Sequence, residues 1–256
     1  MKELDAMRHF EQHLYEVGYS RQMEVSFPDC DRNKQARIGA LLSVLSVWGG
    51  YDYDARGLTH EKLTELRQVF LLSRAVMKIH RRPVNEDVLT VDTWEDGFRG
   101  PHFRRVYRIH DGDGRLCVSA KSDWLLVDPV SRKIERPAAF KAREIPASCG
   151  QEIDCPEPKK IRLPSDGVTE LGNRVVRWSD LDGNGHLFSG NYGDIVWDFL
   201  PEELQSRPVD TFAINYSREA TLGDTILLRG CDAGGAYLME GRGPAELCFT
   251  AECVFA

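Results

Sequence analysis

The sequence predicts an α+β protein made of two tandem copies of one unit, each an antiparallel sheet wrapped around a central helix. Three observations predict it. Each half carries an amphipathic helical stripe, each stripe is followed by strand-like segments separated by turn signals, and the halves align at fixed offsets as diverged copies. Residues 146–172, with four prolines, three glycines and little periodicity, read as a linker. That leaves an N-terminal unit at 1–145 and a C-terminal unit at 173–256.

The elements follow in order. Ile38, Leu41, Leu42 and Leu45 stand at i, i+3, i+4 and i+7, the stripe of a half-buried helix, which Gly49-Gly50 is expected to end. Strands are expected at 69–79 and 88–94, then a pair from 103 to 127 around the turn Asp111-Gly112-Asp113-Gly114. In the second half Tyr192, Ile195, Val196, Phe199 and Leu200 repeat the helical spacing, and strands follow at 211–218 and 225–231 with a last hairpin over 236–255. An offset of 137 lays Pro-Val-Asn-Glu-Asp87 over Ala-Thr-Leu-Gly-Asp224 and Arg81 over Arg218, and an offset of 151 lays Asp31-Arg32-Asn33-Lys34-Gln35 over Asp182-Gly183-Asn184-Gly185-His186.

Composition narrows the function classes. The formal net charge of -7 has no local basic excess of the kind that neutralises a run of phosphates, so nucleic acid is not an expected partner. The seven cysteines are scattered without a C-x-x-C pair, which points to reduced, mostly buried thiols and to no metal site. The first residues carry acids and no apolar core of a signal sequence, and no apolar run reaches the ~18 residues of a membrane span, so a cytoplasmic protein is expected.

The candidate chemistry lies where the copies differ. The second has His186 where the first has Gln35, and Glu219 where the first has Arg82, while Asp and Asn occur in both. Only the second half therefore pairs an imidazole with a carboxylate, as general acid-base chemistry requires. Singly, each residue has an ordinary explanation: a solvated turn His, Asx residues bonding their own backbone, a solubilising Glu at a strand end. Together they form a turn leading into a helix, with Ser189 or Asn191 as N-cap, where free N–H groups favour developing negative charge. Strict alternation sets Glu219 on the face of Ala213, Asn215 and Ser217, unless a bulge near Arg218 switches sides.

The segment Trp178-Ser-Asp-Leu-Asp-Gly-Asn-Gly-His186, with Tyr192 six residues on, resembles the hotdog-fold thioesterases. The two-copy layout resembles the acyl-acyl carrier protein thioesterases in particular, with supporting matches in LLSRAVMKIHRRPVNEDVLTVDTW, SDWLLVDPVSRKIERPAAF and INYSREATLGDTILL. The resemblance implies two tandem hotdog domains, hydrolysis of fatty acyl thioesters on acyl carrier protein, no cofactor, and a catalytic set of Asp182, Asn184, His186 and Glu219. On this basis Glu219 with His186 activates a water, Asn184 holds water or carbonyl, and Asp182 orients the loop; the division of the base role stays open. Plant members carry a Cys directly after the Glu, whereas this chain has Ala220, which excludes a Cys-His mechanism at that position, and Leu187-Phe188-Ser189 replaces their Val-Asn-Asn.

The resemblance gives the first copy the acyl chain to hold, with Leu41, Leu45 and Trp48 as candidates for setting its length. An acidic carrier needs basic docking residues, for which Lys159, Lys160, Arg162, Arg104 and Arg105 are candidates. The fused pair is expected as a monomer or a homodimer. The alternatives are an acyl-coenzyme A thioesterase, a hotdog hydratase, or a non-catalytic acyl-binding module.

Overall fold

A computed structural model describes residues 10–144, 151–244 and 246–256. The expected boundary at 145/146, the first residues of the expected linker and Cys149 lie outside them. The architecture is the predicted α+β. The strands of the first half are β1 (Gln12–Leu14), β2 (Gly18–Glu24), β3 (Val69–Ile79), β4 (Val88–Arg99), β5 (His102–His110) and β6 (Leu116–Val127). Those of the second are β7 (Thr169–Val175), β8 (Val209–Tyr216), β9 (Thr225–Asp232), β10 (Ala236–Arg242) and β11 (Leu247–Phe255).

All eleven strands form one sheet in the order β1-β2-β4-β5-β6-β3-β8-β11-β10-β9-β7. The order β2-β4-β5-β6-β3 of the first half recurs, mirrored, as β8-β11-β10-β9-β7. The halves meet through the antiparallel pair β3 and β8, where Val76 lies opposite Ala213, its own counterpart at the offset of 137. A pseudo-two-fold axis therefore passes between these two residues, as at a self-complementary dimer interface.

The sheet curls around two helices, α1 (Ile38–Ala55) and α3 (Asn191–Asp198); α2 (His60–Glu65) and α4 (Glu202–Gln205) are short connectors. Ile38, Leu41, Leu42, Leu45 and Trp48 are all buried on the core side of α1. The helix does not stop at Gly49-Gly50 but runs on to Ala55, because Tyr53 continues the buried stripe and packs with Phe70, Phe103 and Phe140. Tertiary burial here outweighs the ~1 kcal/mol that each helical glycine forfeits.

The two helices touch through glycines. A Cβ on Gly190 would lie 2.9 Å from the Gly39 carbonyl oxygen, and one on Gly193 would lie 3.0 Å from the Gly39 nitrogen, so only glycine permits this approach. Asp194 of α3 then satisfies the open start of α1, accepting from the Gly39 N–H at 3.1 Å and pairing with Arg37. Burial raises its carboxyl above the usual aspartate range despite Arg37 opposite.

The expected linker is not a free tether. Its last residues belong to β7, and residues 151–168 cross the outer face of the sheet over the seam between β3 and β8. There Ile153, Cys155, Ile161 and Leu163 pack on Val76 and Ala213. Asn215 of β8 fastens this strap at two points, accepting from the Ile161 N–H at 2.7 Å and donating to the Lys159 carbonyl at 3.0 Å. Among the described residues six cysteines are free, five of them buried, and no helix is long and apolar enough to cross a membrane.

Candidate active site

The turn 182–186 is built by its own Asp. The Asp182 Oδ1 accepts from the N–H groups of Asn184 at 2.8 Å and His186 at 3.1 Å, and Gly185 takes φ +81°, a conformation that favours glycine. The first copy closes its turn identically: Asp31 Oδ1 accepts from Asn33 at 2.8 Å and Gln35 at 3.1 Å. Asp182 thus shapes the loop, in a role retained by the copy that lacks His and Glu, and it does not line the cavity described below.

A bulge then brings Glu219 round. The Ser217 and Arg218 N–H groups both donate to the Cys248 carbonyl, so two residues oppose one. The residues before the bulge alternate as expected. Ala213 and Asn215 face the strap, while Phe212 and Ile214 are buried in the core. The extra residue switches Glu219 to the cavity side. His80 and Arg81 make the same bulge against Cys117 in the first copy. His186 is bridged to Thr221, and the Leu187 N–H donates to the Ala220 carbonyl at 2.8 Å, which fixes the loop beside Glu219. The His186 Nε2 stands 3.4 Å from the Glu219 Oε2, with both side chains about a quarter exposed.

His186, Glu219 and Asn184 line one end of a cavity of about 530 Å³. Its other walls belong to the first half: Ser46, Gly49, Gly50 and Tyr53 from one face of α1, and Leu58, Leu63, Phe70, Phe103 and Val127 beyond them. A mostly apolar cleft with a few convergent polar groups is the usual form of a small-molecule site. Along α1, Ser46 marks the end near the loop that carries His186, since its hydroxyl lies 2.6 Å from that of Ser189. Tyr53, seven residues on, lies ~10 Å further along. There its hydroxyl donates to Glu95 at 2.6 Å, and Arg105 pairs with Asp52 at 2.9 Å, so the far wall carries buried, mutually satisfied charges.

Several expected residues fall elsewhere. Leu41, Leu45 and Trp48 point into the core and do not line the cavity, which is met by Ser46, Gly49, Gly50 and Tyr53 on the adjoining face of α1. The α3 N-cap is Gly190, not Ser189 or Asn191, and the Asn191 and Gly193 N–H groups are taken by Phe188 and Gly190 carbonyls. No α3 residue lines the cavity, so its N-terminus is not an oxyanion site there. Of the docking candidates, Arg105 is buried, Arg104 pairs with Glu157 and Asp96, and Lys159 pairs with Glu252. None of the six described cysteines lines the cavity, and burial pushes Cys155 up to about 11 and Cys253 to about 12.

The counterpart position in the first copy is filled. Arg82, opposite number of Glu219, pairs with Asp31 at 3.1 Å, donates to the Ala36 carbonyl and lies over the Trp197 ring. Trp197 is itself the counterpart of Ser46 at the offset of 151. One residue at the site was not anticipated: Arg132, from the loop after β6, pairs with the Glu219 Oε2. It lies 87 residues away in sequence, in a stretch with no periodicity, and only its position in an Asp-Pro-Val-Ser turn marks it.

Known proteins resemble the chain in both of its halves. The family models for the acyl-ACP thioesterase N-terminal and C-terminal domains match residues 16–139 and 166–232. The chain is 22% identical over 227 residues to the chloroplastic oleoyl-acyl carrier protein thioesterase 1 of Arabidopsis thaliana, covering 82% of this chain and 62% of that protein. To the chloroplastic palmitoyl-acyl carrier protein thioesterase of the same plant it is 22% identical over 176 residues, 65% of this chain and 43% of that one. The chain thus spans less than two thirds of the length of these relatives.

Among solved structures, an acyl-ACP thioesterase from Bacteroides thetaiotaomicron superposes with a TM-score of 0.84 at 22% identity, over 93% of this chain and 98% of that one. The 12:0-ACP thioesterase of Umbellularia californica does so with a TM-score of 0.77 at 16% identity, over 95% and 99%. These likenesses show the fold, two hotdog units in one chain. With both domain models matched in order over three quarters of its length, the chain belongs to the acyl-ACP thioesterase family.

Proposed function

We propose that the protein hydrolyses fatty acyl thioesters carried on acyl carrier protein, releasing the free acid and ending chain elongation. The observation that carries this reading is the single cavity in which Asn184, His186 and Glu219 of the second copy face an apolar wall from the first. In the proposed reaction the acyl chain lies along α1 with its thioester beside His186 and Glu219. The Glu219-His186 pair orients a water and takes its proton as the oxygen bonds to the carbonyl carbon. The tetrahedral oxyanion collapses, the C–S bond breaks, and the proton returns to the departing sulfur, whose thiol pKa of about 8.5 makes it a good leaving group. Asn184 offers an amide donor to the carbonyl oxygen or to the water. Asp182 acts through the loop it shapes, and Ala220 leaves no adjacent thiol to compete as nucleophile.

The test is release of free thiol from a series of acyl carrier protein thioesters, with the matching coenzyme A thioesters in parallel. Glu219→Ala and His186→Ala are each expected to lower the rate of release by roughly 100- to 10,000-fold, to a residual level that is still measurable. Wild-type rates in both variants would refute the site, and higher kcat/KM on coenzyme A would refute the carrier assignment.

A further inference from the structure

The loop that leaves β6 holds a strained residue over the site. Asp128 Oδ1 accepts from the N–H groups of Val130 at 2.9 Å and Ser131 at 2.8 Å, and the Arg132 N–H donates to the Asp128 carbonyl at 2.9 Å. This geometry holds Arg132 at φ +59°, in the left-handed region that a residue with a Cβ rarely adopts. The next residues close the loop: the Asp128 N–H donates to the Lys133 carbonyl at 3.0 Å and Val127 bridges Ile134. Strain held by the surrounding structure marks residues whose direction matters.

The Arg132 side chain leaves this turn, enters the cavity wall, and meets Glu219 at Oε2, the same oxygen that stands 3.4 Å from His186 Nε2. A carboxylate on a strand end with a quarter of its surface exposed has several rotamers open to it. A guanidinium that donates to one oxygen selects among them, because its donors are planar and fixed in direction. We propose that Arg132 is a positioning residue for the thioesterase reaction, holding the Glu219 carboxylate toward His186, so that the non-catalytic copy completes the catalytic group of the other. This rests on the hydrolase reading above. Stability is not its role: with 58% of the arginine side chain exposed, the pair contributes little to the fold.

The experiment measures kcat and KM on one acyl carrier protein thioester for the wild type, Arg132→Ala, Arg132→Lys, Glu219→Ala, the Arg132→Ala/Glu219→Ala double variant, and Lys133→Ala as the neighbouring-charge control. Misplacing a reacting group by an ångström lowers rates by up to ~100-fold, so kcat of Arg132→Ala is expected to fall roughly 10- to 100-fold with KM within about twofold. Arg132→Lys, or guanidinium ion added to Arg132→Ala, is expected to restore part of the rate, and Lys133→Ala to leave it unchanged. The double variant is expected to be no slower than Glu219→Ala alone, since the arginine acts through that carboxylate. An unchanged kcat in Arg132→Ala, a loss confined to KM, or a further loss in the double variant would overturn the proposal. Wild-type turnover by Glu219→Ala would instead overturn the hydrolase site itself, so the two failures are separate observations.

Discussion

Gly50 stands in the middle of α1, faces the cavity, and has nothing within 4 Å of where a Cβ would be placed. Replacement by alanine meets no clash and removes the glycine penalty, so Gly50→Ala is expected to stabilise the protein by about 0.5–1 kcal/mol. At this chain length that raises the melting temperature by roughly 2–4 °C per kcal/mol. Leucine at the same position puts its branch where an acyl chain would lie along the helix. If it displaces two methylenes, each worth ~0.8 kcal/mol of burial, discrimination between chains differing by two carbons changes by about 15-fold toward the shorter one. Gly49→Ala is the contrast, because its Cβ would lie 3.3 Å from Arg105 Cδ and Nε and crowd the buried pair with Asp52. The assay is a ladder of kcat/KM over acyl carrier protein thioesters stepped by two carbons, with thermal melts of all three variants. A ladder of unchanged shape in Gly50→Leu refutes the placement of the acyl chain along this face, and a lowered melt in Gly50→Ala refutes the open space beside Gly50.

Two further outcomes follow from the frame shared by the copies. Combining His186→Gln with Glu219→Arg rebuilds in the second copy what the first already holds, where Arg82 pairs with Asp31 at 3.1 Å. The double variant is expected to fold with a near wild-type melt and to lose hydrolysis, and retained turnover would show that neither group takes part. Asp111 accepts the backbone N–H groups of Arg115 at 2.9 Å and Asp113 at 3.0 Å, and these donors hold its carboxyl below the usual range. A lowered folded value contributes stability that is fully present above the unfolded pKa of ~3.9 and is lost as pH falls through the folded value. The urea midpoint of Asp111→Asn should therefore lie below wild type at pH 7 and converge on it in acid, whereas a gap independent of pH would contradict the cause.

The repeat was legible because turn chemistry is local. Asp31 and Asp182 each bond two N–H groups within four residues, and such a motif survives in sequence after side chains elsewhere have diverged. The strand β7 was masked, four of its residues falling in the expected linker, although Thr169–Val175 stands at the same offset of 151 from Gly18–Glu24 of β2. The extent of α1 was not legible, since Gly49-Gly50 stops a helix on propensity alone and only the aromatic cluster around Tyr53 carries it further. Nor was the face of α1 that meets the cavity. Apolar spacing finds the side that packs, and Leu41, Leu45 and Trp48 pack, whereas a cavity is bounded by residues such as Ser46 and Gly50 that leave space unfilled. Arg132 was beyond reach because a contact between an exposed turn and a strand end 87 residues later leaves no periodic trace.

The strap over the seam decides which copy meets which. Val76 opposite Ala213 is a register that either edge could offer to a second copy of itself, as self-complementary edges do. A covalent connection makes the meeting of the two edges intramolecular, which favours the unlike pairing over one with a free partner. Residues 151–168 pack on Val76 and Ala213 themselves, so the strap lies across the very pair it joins. Two identical halves paired in this way would carry a site on both sides; the tether trades that second site for a wall.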